Sequence, residues 1–296
     1  MKKRGILTIV LIFAGLFIAL MIFVAVLISA FSPDGLGFGK PSIGVVEIAG
    51  PIMDSKKALE DIKAFSENEL IHGVVIRVDS PGGAVAPSQE IFEAVKKLKV
   101  KKPVAVSMGS TAASGGYYIA IGSDVIFANP GSITGSIGVI TQLFNVESIM
   151  DKIDVKVHTV TTGPFKDSGS PFKEFSVDDE NYFHELIDDI YLQFIEDVAQ
   201  ARSLELGEVR KLADGRVFTG RQAKVNKLVD EIGTIDDAIA HVAARAGIEG
   251  DPKVVYPPKE RMGFLSEMLR ASVNTTFNQV QSRTSPRLQY LYVGPQ

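Results

Sequence analysis

Hydrophobic residues along this chain gather into short dense runs, separated by Gly, Pro and polar clusters. Ser42–Ile48 is one such run, closed by the Ala49-Gly50-Pro51 turn. From Ser55 to Glu67 the apolar spacing changes to three and four, which predicts a helix. Ile71–Val78 (Ile-His-Gly-Val-Val-Ile-Arg-Val) returns to a continuous run and ends at Asp79-Ser80-Pro81-Gly82-Gly83. A helix over Pro87–Leu98, a strand over Val104–Ser107, a helix over Ala112–Ile121 and a strand over Val125–Ala128 follow. These strands are apolar at nearly every position, as strands buried on both faces are. Strand and helix alternating in short units predict an α/β fold with a mostly parallel sheet and flanking helices.

After Pro130 the pattern weakens. Gly131–Val139 reads as a loop, Val155–Val160 as a strand, and Thr161–Ser176 as a loop rich in Gly, Ser, Pro and Lys. Val177–Ser203 has strong helical periodicity, with Phe183, Leu186, Ile187, Ile190 and Phe194 on one stripe. Leu206–Leu212 and Ile235–Ala246 read as further helices. Pro257-Pro258 ends the compact part. Gly263–Leu269 has the spacing of a short amphipathic helix, and the last twenty residues, with Tyr290 and Tyr292, read as a tail.

The N-terminus follows a different rule. Lys2, Lys3 and Arg4 precede 25 uncharged residues, Ile6–Ala30. A helix needs about 20 residues to cross a bilayer, and a signal peptide's apolar region is usually only about 7–15 residues. The run is therefore expected to be a retained transmembrane anchor. The basic head predicts that residues 1–5 stay in the cytoplasm and that everything after Ala30 lies outside. Residues 31–40, with Pro33, Gly35, Gly37 and Gly39, read as a flexible tether. The expected division is 1–30 head and anchor, 31–40 tether, 41–256 a single catalytic domain, and 257–296 a C-terminal extension.

Composition narrows the chemistry. The chain has no cysteine, so disulfides, thiolate metal sites and a cysteine nucleophile are excluded. A net charge of −4 and the absence of a basic domain or zinc-finger spacing argue against nucleic acid as a partner. The four histidines, His72, His158, His184 and His241, lie on predicted strands and helices with no His-Glu-x-x-His spacing. Asp188-Asp189 are helix neighbours pointing in different directions. No Walker or dinucleotide-binding glycine pattern is present, so neither cofactor nor metal is expected.

Three Gly-rich elements remain. Asp79-Ser80-Pro81-Gly82-Gly83 lies past a strand end, where open α/β sheets bind ligands, and its glycines leave backbone N–H groups free to point at one. Gly109-Ser110-Thr111-Ala112-Ala113-Ser114-Gly115-Gly116 follows a strand and opens a predicted helix. There Ser114 sits at the positive end of a helix dipole, and the N–H groups of Gly115 and Gly83 could form an oxyanion hole. Capping of that helix by Ser110, Thr111 or Ser114 explains the same residues. The third element, Gly163-Pro164-Phe165-Lys166-Asp167-Ser168-Gly169-Ser170, offers a lysine. A serine without histidine can use a neutral, buried lysine as its base. Lys166, beside Phe165, is one candidate, Lys173 beside Glu174 reads as solvated, and the carboxylate of Asp167 must point elsewhere. Ser136 could hold the amine. Local chemistry alone does not choose Lys166.

These blocks together resemble the signal peptide peptidase SppA family in its short bacterial form, across about Ile43–Ile248. Thr-Ala-Ala-Ser-Gly-Gly-Tyr-Tyr-Ile-Ala resembles the family's nucleophile block, implying Ser114. Gly-Pro-Phe-Lys-Asp-Ser-Gly-Ser-Pro resembles its base block, implying Lys166, 52 residues further on. Asp-Ser-Pro-Gly-Gly resembles the oxyanion turn, implying Gly83 with Gly115 as second donor, and the loop at Gly135-Ser136 resembles the segment whose serine orients the lysine. The segments Asp214–Gly220 and Leu228–Gly233 also resemble family blocks, without assigned chemistry. The resemblance implies a ClpP/crotonase-like fold, a Ser–Lys endopeptidase, a homo-oligomer whose neighbours complete each site, and signal peptides released after export as substrates. The alternatives are a related membrane protease acting on a stomatin-like partner, an acyl-CoA enzyme of related fold, and a non-catalytic membrane scaffold.

Overall fold

The computed structural model describes residues 12–24, 40–258 and 289–292. Two units are distinguished, Met1–Pro41 and Ser42–Gln296. In the first, residues 12–24 form an exposed helix, α1, built only of apolar residues and glycine. Among the described residues no helix is long and apolar enough to cross a membrane. The remainder of the expected anchor, residues 6–11 and 25–30, lies outside the described residues, as does the helix expected over Gly263–Leu269.

The second unit opens with β1 (Ser42–Ala49), α2 (Lys56–Glu67), β2 (Ile71–Ser80), β3 (Gly82–Ala84), α3 (Val85–Lys99), β4 (Val104–Ala113), α4 (Gly115–Ala120), β5 (Val125–Ala128) and β6 (Ile133–Gly135). It continues with α5 (Glu147–Lys152), α6 (Val177–Arg202), α7 (Leu206–Leu212), β7 (Val217–Thr219), α8 (Gly220–Val225), β8 (Glu231–Ile232), α9 (Ile235–Arg245), β9 (Lys253–Val255) and β10 (Gln289–Leu291). The main sheet runs β7-β6-β4-β2-β1-β9, with β5 joining β4 to β8. All its pairings are parallel except β6 with β7.

Both faces of this sheet are covered, which explains the continuous apolar strands. Ile43, Val45, Val75 and Ala105 meet Ala238, Ile239, Val242 and Ala243 of α9. On the other face Val46, Ile76 and Val106 pack with Ile91, Val95 and Phe194. The helices begin where their caps allow. In α6 the Ser176 hydroxyl accepts the Asp179 N–H while the Asp179 carboxylate accepts the Ser176 N–H, a reciprocal capping box. Thr234 with Asp237 does the same for α9.

Four expectations change. β4 runs on to Ala113 because Ala112 and Ala113 pair with Thr134 and Gly135 of β6, so the following helix starts only at Gly115. The expected loop over Gly131–Val139 contains that strand. No strand forms over residues 155–160, which are exposed and extend along no partner. The supposed tail contributes β10, which pairs antiparallel with β3, and Tyr290 is fully buried against Tyr118 and Phe194.

Candidate active site

β4 is long enough to pair twice on the same side. Its first half lies beside β5, and its last residues, Thr111–Ala113, lie beside β6. Ser114 and Ser136 each follow directly on this second pairing. The Ser114 N–H donates to the Gly135 carbonyl at 2.7 Å, and the Ser136 N–H donates to the Arg216 carbonyl at 2.8 Å. Both serines turn sharply out of the sheet, with φ of 54° and 50°. Such backbone is uncommon outside glycine and costs on the order of 1–3 kcal/mol when held in a sparsely populated region. Two adjacent strand ends thus each place a serine at positive φ.

The Ser114 turn is held from below. Tyr117, fully buried, donates its hydroxyl to the Leu228 carbonyl at 3.0 Å. Tyr118 donates to the Asp197 carboxylate of α6. Burial drives the Tyr117 hydroxyl far above its usual range, so it remains a donor. Ser114 itself is 1 % exposed. Neither its hydroxyl nor that of Ser136 has a hydrogen-bond partner among the described residues. α4 has only six residues, so its dipole is a smaller aid to an alkoxide than the longer helix expected from sequence.

The two expected oxyanion donors come together here. As first residue of α4, Gly115 keeps its N–H outside the helix's own bonding. A Cβ on Gly115 would stand 3.2 Å from the Gly83 nitrogen and 2.6 Å from Ser88 Oγ, so this position has no room for a side chain. Beside it Gly82 takes φ of 97°, and a Cβ there would fall 2.1 Å from the Tyr290 carbonyl oxygen and 2.6 Å from the Gly115 nitrogen. The Tyr290 carbonyl therefore lies against the Gly82 turn. Bonded and non-bonded pairs alternate in an antiparallel ladder. Tyr292 N–H donates to the Pro81 carbonyl at 2.8 Å, and the register pairs Gly83 with Tyr290, so Gly83–Tyr290 is the next bonded pair. A substrate carbonyl using both donors would take the place of the Tyr290 carbonyl. Sequence reading missed β10 here; its only signal is the pair of tyrosines after a proline.

Ser114 is buried, whereas Lys166 lies at the protein surface. It sits in a turn, its N–H 3.3 Å from the Gly163 carbonyl, and its side chain is exposed rather than buried as expected. Phe165, the neighbour expected to cover it, stacks instead on Tyr182 of α6 at 5.3 Å. Among the described residues no hydrogen bond or ion pair joins Lys166 to Ser114 or Ser136. Lys173, expected to be solvated, pairs with Asp167 at 2.9 Å and with Asp179 at 3.5 Å. The Asp179 carboxyl is held down at about 2, first by the Ser168 hydroxyl, then by Ser176 and, more weakly, Lys173. Ser168 approaches it without regular hydrogen-bond geometry.

Around this lysine loop the surface is apolar. Phe144, Ile149, Ile153, Val160, Phe172 and Val177 are all exposed. A cleft of about 390 Å³ opens between this arm and α6, lined by Leu143, Phe144, Phe175, Phe183 and Ile187 among others. Exposed apolar residues of this size are the kind of surface that interaction sites use.

Residues 96–249, which carry Ser114, Ser136 and Lys166, match Peptidase family S49. The chain is 41% identical over 214 residues to "Putative protease slr0021" of Synechocystis, covering 72% of this chain and 77% of that protein. It is 36% identical to "Putative signal peptide peptidase SppA" of Enterococcus faecium, over 71% of this chain and 61% of that protein. It is 31% identical to "Serine protease SPPA, chloroplastic" of Arabidopsis thaliana, over 71% of this chain but only 31% of that protein. By its matched segment and its relatives, the chain belongs to peptidase family S49 and is a serine peptidase.

Proposed function

We propose that this chain is an endopeptidase in which Ser114 is the nucleophile and Lys166 the general base. The observation that carries the reading is the Ser114 turn: a buried serine on strained backbone, flanked by the Gly115 and Gly83 nitrogens. Lys166 takes the proton from Ser114 Oγ as that oxygen attacks the substrate carbonyl. The tetrahedral oxyanion is held by the N–H groups of Gly115 and Gly83, the latter released as the substrate carbonyl displaces that of Tyr290. The resulting ammonium gives its proton to the leaving amine, and the acyl-serine is hydrolysed by water that the same lysine deprotonates. Ser136, on the neighbouring strand end, orients the amine.

Assembly completes the site in this reading. A buried nucleophile and an exposed base on one chain, with apolar surface around the base, fit a homo-oligomer in which one protomer's lysine loop serves a neighbour's serine. Residues 6–30 anchor the chain in the cytoplasmic membrane, with the catalytic unit on the outer, periplasmic side. The substrates are peptides, of which signal peptides released after export are the class suggested by the Enterococcus relative's name. Turnover of an apolar peptide by Ser114→Ala and Lys166→Ala tests the dyad. Both should lose activity while remaining folded; near wild-type turnover by either rejects the assignment.

A further inference from the structure

We propose that Lys173 is a positioning residue for the lysine base: it engages the carboxylate of Asp167 and so keeps that carboxylate from Lys166. The inference rests on the reading of Lys166 as the base. Lys166 and Asp167 are chain neighbours, and a carboxylate within about 4–6 Å of an amine favours its charged form, which cannot accept a proton. The loop resolves this conflict by folding back on itself. Lys173 Nζ stands 2.9 Å from Asp167 Oδ1 and 3.5 Å from Asp179 Oδ1. Asp179 is a fixed post: it is 3 % exposed and locked into the α6 cap by Ser176. The Ser170 N–H bond to the Asp167 carbonyl, at 3.0 Å, holds the turn that directs Asp167 toward Lys173.

The other charged and titratable groups near the loop are occupied or lie apart from Lys166. On α6, Glu180 faces His184 at 3.8 Å, and Tyr182 stacks on Phe165. On the arm before the loop, Asp151 pairs with Lys156 at 2.6 Å. Glu174, Asp178, Glu147, Lys152, Asp154 and His158 form no ion pair with Lys166 among the described residues. The ammonium of Lys173 is held above its usual range, first by its hydrogen bond to Asp167. Asp167 is therefore the carboxylate closest in sequence to the base, and Lys173 is its partner.

The test is the pH profile of kcat/KM for the full-length protein in its assembled form. Lys173→Met frees Asp167, and the acid limb should move up by about one pH unit. Activity on that limb then falls about tenfold, while the high-pH plateau recovers toward wild type. Lys173→Arg, which retains the ion pair, should keep the wild-type limb. Asp167→Asn alone should leave the limb in place, because Asp167 is already engaged. Asp167→Asn combined with Lys173→Met should restore it. Loss of activity in Lys173→Met that is equal at all pH, or is not rescued by the double change, would overturn the proposal in favour of a purely structural Lys173. A downward limb shift in Asp167→Asn alone would also overturn it, even if Lys173→Met did not fold. Activity in Lys166→Ala is a separate result, and rejects the base assignment itself.

Discussion

The backbone N–H of Ser114 donates to the carbonyl oxygen of Gly135 at 2.7 Å, tying the turn after β4 to the turn after β6. Because Ala113 and Gly135 are register partners, Ser114 and Ser136 occupy equivalent positions one residue further on. Both adopt positive φ. This shared geometry places the proposed nucleophile and the serine proposed to orient its base at two adjacent strand ends.

Gly115→Ala should disable turnover without unfolding the protein. The new methyl meets Ser88 Oγ at 2.6 Å and the Gly83 nitrogen at 3.2 Å, pushing the two donors apart. Loss of an oxyanion donor typically costs about 10²–10³ in kcat. Steady-state kinetics should show the loss mainly in kcat, with KM changing much less. A rise in KM with kcat unchanged would show instead that the Gly115 N–H acts in binding alone.

Tyr290→Ala should be strongly destabilising although it changes a residue near the chain terminus. Tyr290 is fully buried, lies 4.7 Å from the Phe194 ring and 5.2 Å from the Tyr118 ring, and donates to the Ile190 carbonyl at 3.2 Å. Removing a buried aromatic ring costs about 3–5 kcal/mol. Tyr290→Phe, which loses only the hydrogen bond, should cost about 1 kcal/mol. Chemical denaturation would measure both, and a negligible effect of Tyr290→Ala would contradict the docking of β10.

Much of this arrangement could be read before the structure. β1, α2, β2, α3 and β5 are long or dense enough for the apolar pattern to announce them, and Ser114 stands among Gly and Ala residues that signal a crowded turn. β6, β7 and β10 could not be read the same way. Each has three residues, and what fixes them is pairing with a distant strand rather than a local pattern. The strand expected at Val155–Val160 does not form for the opposite reason: its pattern is right, but among the described residues no strand pairs with it. With Glu174 beside it, Lys173 is predicted to have a solvated side chain. Its actual partners, Asp167 and Asp179, lie six residues away on either side and meet it only when the loop folds onto the α6 cap.

The apolar arm should govern both assembly and activity. Phe144→Asp or Phe172→Asp places a charge on exposed apolar surface and should leave the fold of the single chain intact. Sedimentation should show smaller species, and peptide turnover should fall in parallel. Mixing Ser114→Ala and Lys166→Ala proteins before assembly should recover part of the activity, since some sites would then combine an intact serine with a neighbour's intact lysine. No recovery would indicate a dyad formed within one protomer.

The lysine loop should loosen at low pH. Asp179 has its carboxyl depressed to about 2, first by Ser168 and then by Ser176, against an unfolded value of about 3.9. A depressed carboxyl contributes stability above the unfolded value and loses it as pH falls through the folded one. The contribution should therefore be complete above about pH 4 and vanish toward pH 2. Hydrogen exchange of the loop and the first turn of α6 should rise over this window in wild type. Asp179→Asn should be looser already at neutral pH and lack that pH-dependent step.

The dyad itself is tested most directly by labelling the assembled protein with a serine-directed fluorophosphonate at neutral pH and mapping the adduct by mass spectrometry. One adduct is predicted, on Ser114, which disappears in Ser114→Ala and is reduced to background in Lys166→Ala although that protein still assembles. An adduct on another serine, or undiminished labelling of Ser114 without Lys166, would contradict the account.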